Sequence, residues 1–183
     1  MSNIFITSDT HFGHDRDFIY STRGCDSESS ASRAIVDNIN FDVKENDELY
    51  ILGDVLLGND DSFEYLNSIN CRNIHIIAGN HDTKRRIDEY HRCLNVVEAC
   101  ESKRISAEGL NWFLCHYPVY TNNYNSDYHS FDALWSLCGH IHTKDPFLEL
   151  KKGIMSYHCE LDAHNNHPVS IKQIKRDILA FTG

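Results

Sequence analysis

Short apolar runs separated by polar stretches pattern this chain, and most of the runs stop at a glycine or a histidine. Asn3–Ser8 (NIFITS), β-branched and aromatic, predicts a first strand. Asp15–Gly24 is polar and mixed, a loop with a helical turn. Ser27 caps a helix expected to reach about Asn40, with Ala34, Ile35 and Ile39 on its buried face. Glu48–Leu52 is a short buried strand ending at Gly53, and Asp61–Ile69 carries Phe63, Leu66 and Ile69 at helical spacing. Asn73–Ala78 is the next strand, Lys84–His91 a helix and Asn95–Ala99 a weak strand. Trp112–Cys115, Ala133–Cys138 and Ile154–Glu160 are further strands, and Thr121–Ser130 is a tyrosine-rich polar loop. Ser170 opens a last helix to about Phe181, with Gln173 three residues on to complete a capping box.

Strands and helices interleave throughout, with no repeat or proline-rich linker, so residues 1–183 read as a single α/β domain. No apolar run approaches the roughly 20 residues that span a bilayer. Met1-Ser2-Asn3 leads directly into a strand without a basic-then-apolar leader, so the expected location is cytoplasmic. Seven cysteines form no CxxC pair and read as reduced core thiols rather than disulfides or a zinc ribbon. With 27 acidic and 17 basic side chains the net charge is -10, which disfavours binding to duplex nucleic acid. A small phosphorylated substrate stays compatible, because bound divalent cations would invert the local charge.

Chemistry concentrates where the strands stop. Five apolar segments run into Asp9-Thr10-His11, Gly53-Asp54, Gly79-Asn80-His81-Asp82, His116 and Gly139-His140-Ile141-His142. A lone D-x-H or H-x-H is weak evidence, since buried histidines often only hydrogen-bond. Five such elements in order, each after a strand, hold enough nitrogen and oxygen donors for two divalent metals. Each preceding glycine suits a turn that brings backbone close to the cluster, although an ordinary turn glycine needs the same geometry.

The order resembles the calcineurin-like metallophosphoesterase superfamily, in its small single-domain prokaryotic or phage form, whose pattern is D-x-H, G-D, G-N-H-[DE], H, G-H-x-H. The match covers residues 9–142 with no ligand position missing. The resemblance implies a four-layer αββα sandwich of two mixed sheets flanked by helices. It implies that Asp9, His11 and His142 hold one metal, that Asn80, His116 and His140 hold the other, and that Asp54 bridges both. Such donors suit manganese first, then iron, nickel, cobalt or zinc, over calcium or magnesium. The implied reaction is in-line attack on phosphorus by a metal-bridging hydroxide, with His81 assisting the leaving group and Asp82 either orienting His81 or capping the helix after it.

Substrate contacts are weaker signals. His14 fits a phosphate contact or a surface loop. Arg16, Arg23 and the Lys84-Arg85-Arg86 run supply charge near the site or a solvated face. Tyr124 and Tyr128, with His129, sit on a loop able to stack on a nucleobase, or on a plain surface loop. Val55-Leu56-Leu57-Gly58-Asn59 lacks the arginine that follows G-D in serine/threonine protein phosphatases, and Asp82 replaces their glutamate. Superfamily double-strand-break nucleases carry further domains. The expected substrate is a small phosphodiester or phosphomonoester, nucleotides included, with diesters favoured. The alternative is a non-catalytic metal-binding or scaffold module of the same fold. No motif speaks to oligomeric state.

Overall fold

The computed structural model describes residues 2–121 and 133–183. In chain order it forms β1 (Ile4–Thr7), α1 (Asp17–Tyr20), α2 (Glu28–Asp42), β2 (Glu48–Ile51), α3 (Phe63–Asn67), β3 (Ile74–Ile77), α4 (Lys84–Tyr90) and β4 (Val96–Cys100). There follow β5 (Ser102–Ala107), β6 (Leu110–Cys115), β7 (Leu134–Cys138), β8 (Ser156–His158), β9 (Val169–Ser170) and α5 (Ile171–Thr182). One sheet has the order β4-β3-β2-β1-β9, parallel except for β9, and the other has the order β5-β6-β7-β8, parallel except for β5. Two mixed sheets flanked by helices are the α/β sandwich expected. No helix among the described residues is long and apolar enough to cross a membrane.

The period-2 alternation of strands explains the layering. Ile6, Tyr50 and Ile77 face Trp112, Leu114, Trp135, Leu137 and Tyr157 of the second sheet, and α5 adds Ile171, Ile174 and Ile178 to that core. Their neighbours Leu49, Ile51, Ile74 and Ile76 turn the other way, onto Ile35 and Ile39 of α2, Leu66 of α3 and Tyr90 of α4. Strands buried on both faces read as continuous apolar runs, which is how they appear in the sequence.

Several boundaries differ from expectation. The buried stripe of α2 is Ala31, Ile35, Val36 and Ile39, while Ala34 is only half-buried. Its capping box is Ser27 with Ser30. At α5, Ser170 Oγ accepts from Gln173 N at 3.2 Å, but the Gln173 amide donates to Asp177, so only half of the expected box forms. Residues 60–62 make a 3-10 turn ahead of the short α3.

Strand β5 went unforeseen because Ile105 is its one strongly apolar side chain, and its residues alternate between exposed and half-buried. It exists as the edge partner of β6, joined through Glu108 (φ 53°) and Gly109 (φ 76°). Two positive φ values in a two-residue hairpin loop match a type I′ turn, which favours glycine. Gly109→Ala is therefore expected to destabilise the fold by about 1 kcal/mol, the usual cost of a left-handed Cβ. A urea midpoint unchanged by that substitution would contradict this account of the hairpin.

Candidate metal centre

Strand pairing does not stop where β1 and β2 end. Asp9 N donates to Gly53 O, His11 N to Asp54 O and Phe12 N to Val55 O at 3.1, 3.0 and 2.9 Å. The two loops are thus zipped together past the sheet, which sets Asp9 and His11 beside Asp54. Gly139 follows β7 at a tight crossing: a Cβ there would lie 2.0 Å from Ser8 Oγ and 2.3 Å from Asp9 Oδ2. Only a glycine lets the Gly139–His142 loop settle onto Asp9.

The seven expected ligands converge. His11 Nε2 and His142 Nε2 are 3.1 Å apart and lie 3.7 and 3.6 Å from Asp9 Oδ1. Asp54 Oδ2 is 3.8 Å from His11 Nε2 and 3.6 Å from His116 Nε2, between two groups of donors. His116 Nε2 is in turn 3.0 Å from Asn80 Oδ1 and 3.2 Å from His140 Nδ1. Asp9, His11 and His142 form one compact group able to hold an ion, and Asp9, Asp54 and His116 another, so Asp9 borders both.

Most of these side chains have one atom occupied by protein and another turned inward. Asp9 Oδ2 accepts from the Ser8 hydroxyl (2.6 Å) and from His140 N (3.0 Å), while the buried Oδ1 has no partner among the described residues. Asp54 Oδ1 accepts from His81 N at 2.9 Å, leaving Oδ2 inward. His116 Nδ1 donates to Leu52 O at 2.8 Å, and His142 Nδ1 donates to Asp162 Oδ2 at 2.8 Å. Holding the far nitrogen is how a protein aims the near one at a metal. A buried, unpartnered carboxylate oxygen among imidazole nitrogens fits a divalent transition metal. Burial raises the Asp9 carboxyl to about 6 and lowers the His11 imidazole to about 2. The His11 ring is thus neutral and able to ligate, while the Asp9 carboxyl ionises at higher pH than an ordinary aspartate.

His81 is separate from these groups. Its side chain is half-exposed, with Nε2 at 3.8 Å from Asp54 Oδ2, where it can meet a bound group. Asp82 does neither of the things expected of it. Thr83 caps α4, and the buried Asp82 carboxylate takes the N–H groups of Asp54 (2.8 Å), Val55 (3.2 Å) and Gly79 (2.8 Å) and the Tyr90 hydroxyl (2.6 Å). It locks two ligand loops together and is a positioning residue.

Arg23 is a second correction. Its guanidinium is buried and donates to Asp9 O (2.6 Å) and Thr10 O (2.9 Å), so it braces the first loop, while the residue also lines the cavity beside the centre. Arg86 braces another, donating to His81 O and Gly58 O, and Arg85 pairs with Asp60. His14 stands beside His11, ring centres 5.4 Å apart. Tyr124, with Tyr128 and His129, lies outside the described residues. His158 is buried against Glu160, and His167 pairs with Asp42.

Asp162 was missed, and it holds His142 in place. A signal existed: it follows the strand expected over 154–160, as the other ligands follow theirs, but with no glycine or histidine to flag it. Glu160, also missed, accepts from Thr143 N at 3.2 Å and so pins the loop of His142.

Residues 2–155 match the model of the calcineurin-like phosphoesterase superfamily domain. An uncharacterised protein of Methanocaldococcus jannaschii is 27% identical over 185 residues, covering 95% of this chain and 90% of that protein. A protein of unknown function from Aquifex aeolicus shares the fold at a TM-score of 0.74 and 21% identity, over 96% of this chain and 99% of that one. YfcE, a phosphoesterase of E. coli, aligns at a TM-score of 0.46 and 15% identity over 86% of this chain and 78% of that one.

Two outcomes follow from this geometry. Asp82→Ala strands three buried N–H groups and a hydroxyl, so it is expected to destabilise the fold by about 3 kcal/mol or more, and Tyr90→Phe by about 1 kcal/mol. Chemical denaturation reads both, and equal effects would contradict the central place of the carboxylate. Protons would compete with a metal held at Asp9 and His142, both raised above their ordinary values. Mn²⁺ affinity measured by calorimetry should therefore be highest above pH 7 and fall steadily as pH drops through about 6.

Proposed function

This chain belongs to the calcineurin-like phosphoesterase superfamily, and from that and the geometry of the centre we propose that it hydrolyses small phosphate esters with two divalent metals, manganese foremost. The observation that carries the reading is the buried Asp9 Oδ1, without a hydrogen-bond partner among the described residues, set 3.7 and 3.6 Å from His11 Nε2 and His142 Nε2, with the far nitrogens of His142 and His116 already held. Asp9, His11 and His142 would hold one metal, Asn80, His116 and His140 the other, and Asp54 Oδ2 would be shared between them. When bound, two such metals neutralise the phosphoryl oxygens and supply an activated water.

The remaining work falls to side chains. Asp54, fixed through its Oδ1 by His81 N, keeps the two donor groups in register. His81, close to Asp54 but half-exposed, can reach the departing oxygen and protonate it as a general acid. The centre is open on that side, which leaves room for both arms of a diester, so diesters are the favoured class. The net charge of -10 favours small substrates over duplex nucleic acid, and a cytoplasmic setting suits them.

Purified protein supplied with Mn²⁺ should hydrolyse bis-p-nitrophenyl phosphate and lose that activity on chelation. Asp54→Ala is expected to abolish turnover. His81→Gln should lower kcat by about 10²- to 10⁴-fold, the usual share of a general acid, while Mn²⁺ affinity stays within about twofold. Turnover indifferent to chelator, or preserved in Asp54→Ala, would refute the proposal.

A further inference from the structure

Beside the centre lies a cavity of about 550 Å³ whose inner wall is made by His11, His81 and His142. That volume suits a small ligand and not a macromolecule. Phe18 and Ile19 of α1 and Leu57 give the same cavity an apolar stretch of wall, beside the polar Thr22, Arg23, Lys144 and Asp162. None of these three side chains belongs to either apolar core. α1 buries no residue, and Phe18 is 65% exposed although large and apolar. Such an apolar surface inside a cleft points to a ligand rather than to packing.

The wall is also held in a fixed position relative to the centre. Arg23, three residues beyond α1, is buried and bonded to the carbonyls of Asp9 and Thr10. His14 bridges the two sides: its ring centre is 5.4 Å from that of His11 and 6.0 Å from that of Phe18, the latter edge-on at 83°. A row of rings therefore runs from the ligand His11 outward to Phe18. A phosphoryl group within reach of His81 directs its departing arm into this space, since His81 forms part of the same wall.

We propose that this cavity is the leaving-group subsite and that it takes an aromatic ring, so that the substrate is a phosphate ester whose departing alcohol bears an aryl group or nucleobase. The proposal rests on the hydrolase reading above and names its substrate class. Phe18 offers an edge or face to the ring, while Ile19 and Leu57 cover its apolar perimeter.

Phosphonates, which cannot be hydrolysed at the P–C bond, separate binding from turnover. In calorimetric titrations of the Mn²⁺-loaded protein, benzylphosphonate is expected to bind about tenfold more tightly than methylphosphonate. Phe18→Ala and Leu57→Ala should each reduce that preference to about threefold or less without altering Mn²⁺ affinity. Phe41→Ala, at an exposed phenylalanine of α2, should leave it unchanged. Equal binding of the two phosphonates, or a preference that survives both cavity variants, overturns the subsite and leaves the hydrolase reading standing. Binding of neither by metal-loaded protein overturns both.

Discussion

The Asp82 carboxylate is the interaction on which the centre depends. It gathers backbone N–H groups from the loop after β2 and the loop after β3, and the Tyr90 hydroxyl anchors it to α4. Without it, those N–H groups would be left unpaired, and Asp54 would be tied to the segment bearing Asn80 and His81 mainly by the bond from His81 N to its Oδ1. The loop after β1 then follows, because it is hydrogen-bonded to the loop after β2 residue by residue. Asp9 in turn positions His140 through its backbone N–H. One carboxylate outside the donor set thus fixes how the loops bearing Asp54, Asn80 and His81 meet.

That arrangement is achieved against local preference. Five of the seven proposed ligands, Asp9, His11, Asp54, His140 and His142, adopt positive φ without being glycine. Aspartate and histidine tolerate this region better than most residues, yet each such residue still costs on the order of 1 kcal/mol. Strain of this kind persists only where the surroundings over-determine the backbone. Here the surroundings are the two apolar cores, the inter-loop hydrogen bonds and the buried Arg23 bonded to the carbonyls of Asp9 and Thr10.

The sequence was legible wherever a physical requirement leaves a residue-type signature. Strands buried on both faces must be apolar throughout, so NIFITS, ELYIL and NIHIIA stood out, and donor residues at their ends marked the centre. β5 was invisible because an edge strand beside a hairpin needs only backbone pairing, and Ser102–Ala107 carries little else. Asp82 reads differently in the structure: its sequence position suits a helix cap, whereas beside the nearby Gly79 and Tyr90 it takes the N–H groups of Asp54 and Val55, 28 and 27 residues away in the chain. Asp162 and Arg23 work through contacts outside their own elements, with each other and with the Asp9–Thr10 and Gly139–His142 loops, which no local pattern encodes. The Phe18 wall was equally hidden, because one phenylalanine in a polar stretch looks like any tolerated surface residue.

The spread of the donors has a consequence for how the protein comes into being. Asp9 emerges early in synthesis, yet its neighbours His140 and His142 lie more than a hundred residues later, and Asp162 later still. Closing contacts across such separations is slow and comes late in folding. No nascent fragment ending before residue 140 carries a complete pair of donor sets. The proposed two-metal centre would therefore be complete only once the Gly139–His142 loop has joined the earlier donors.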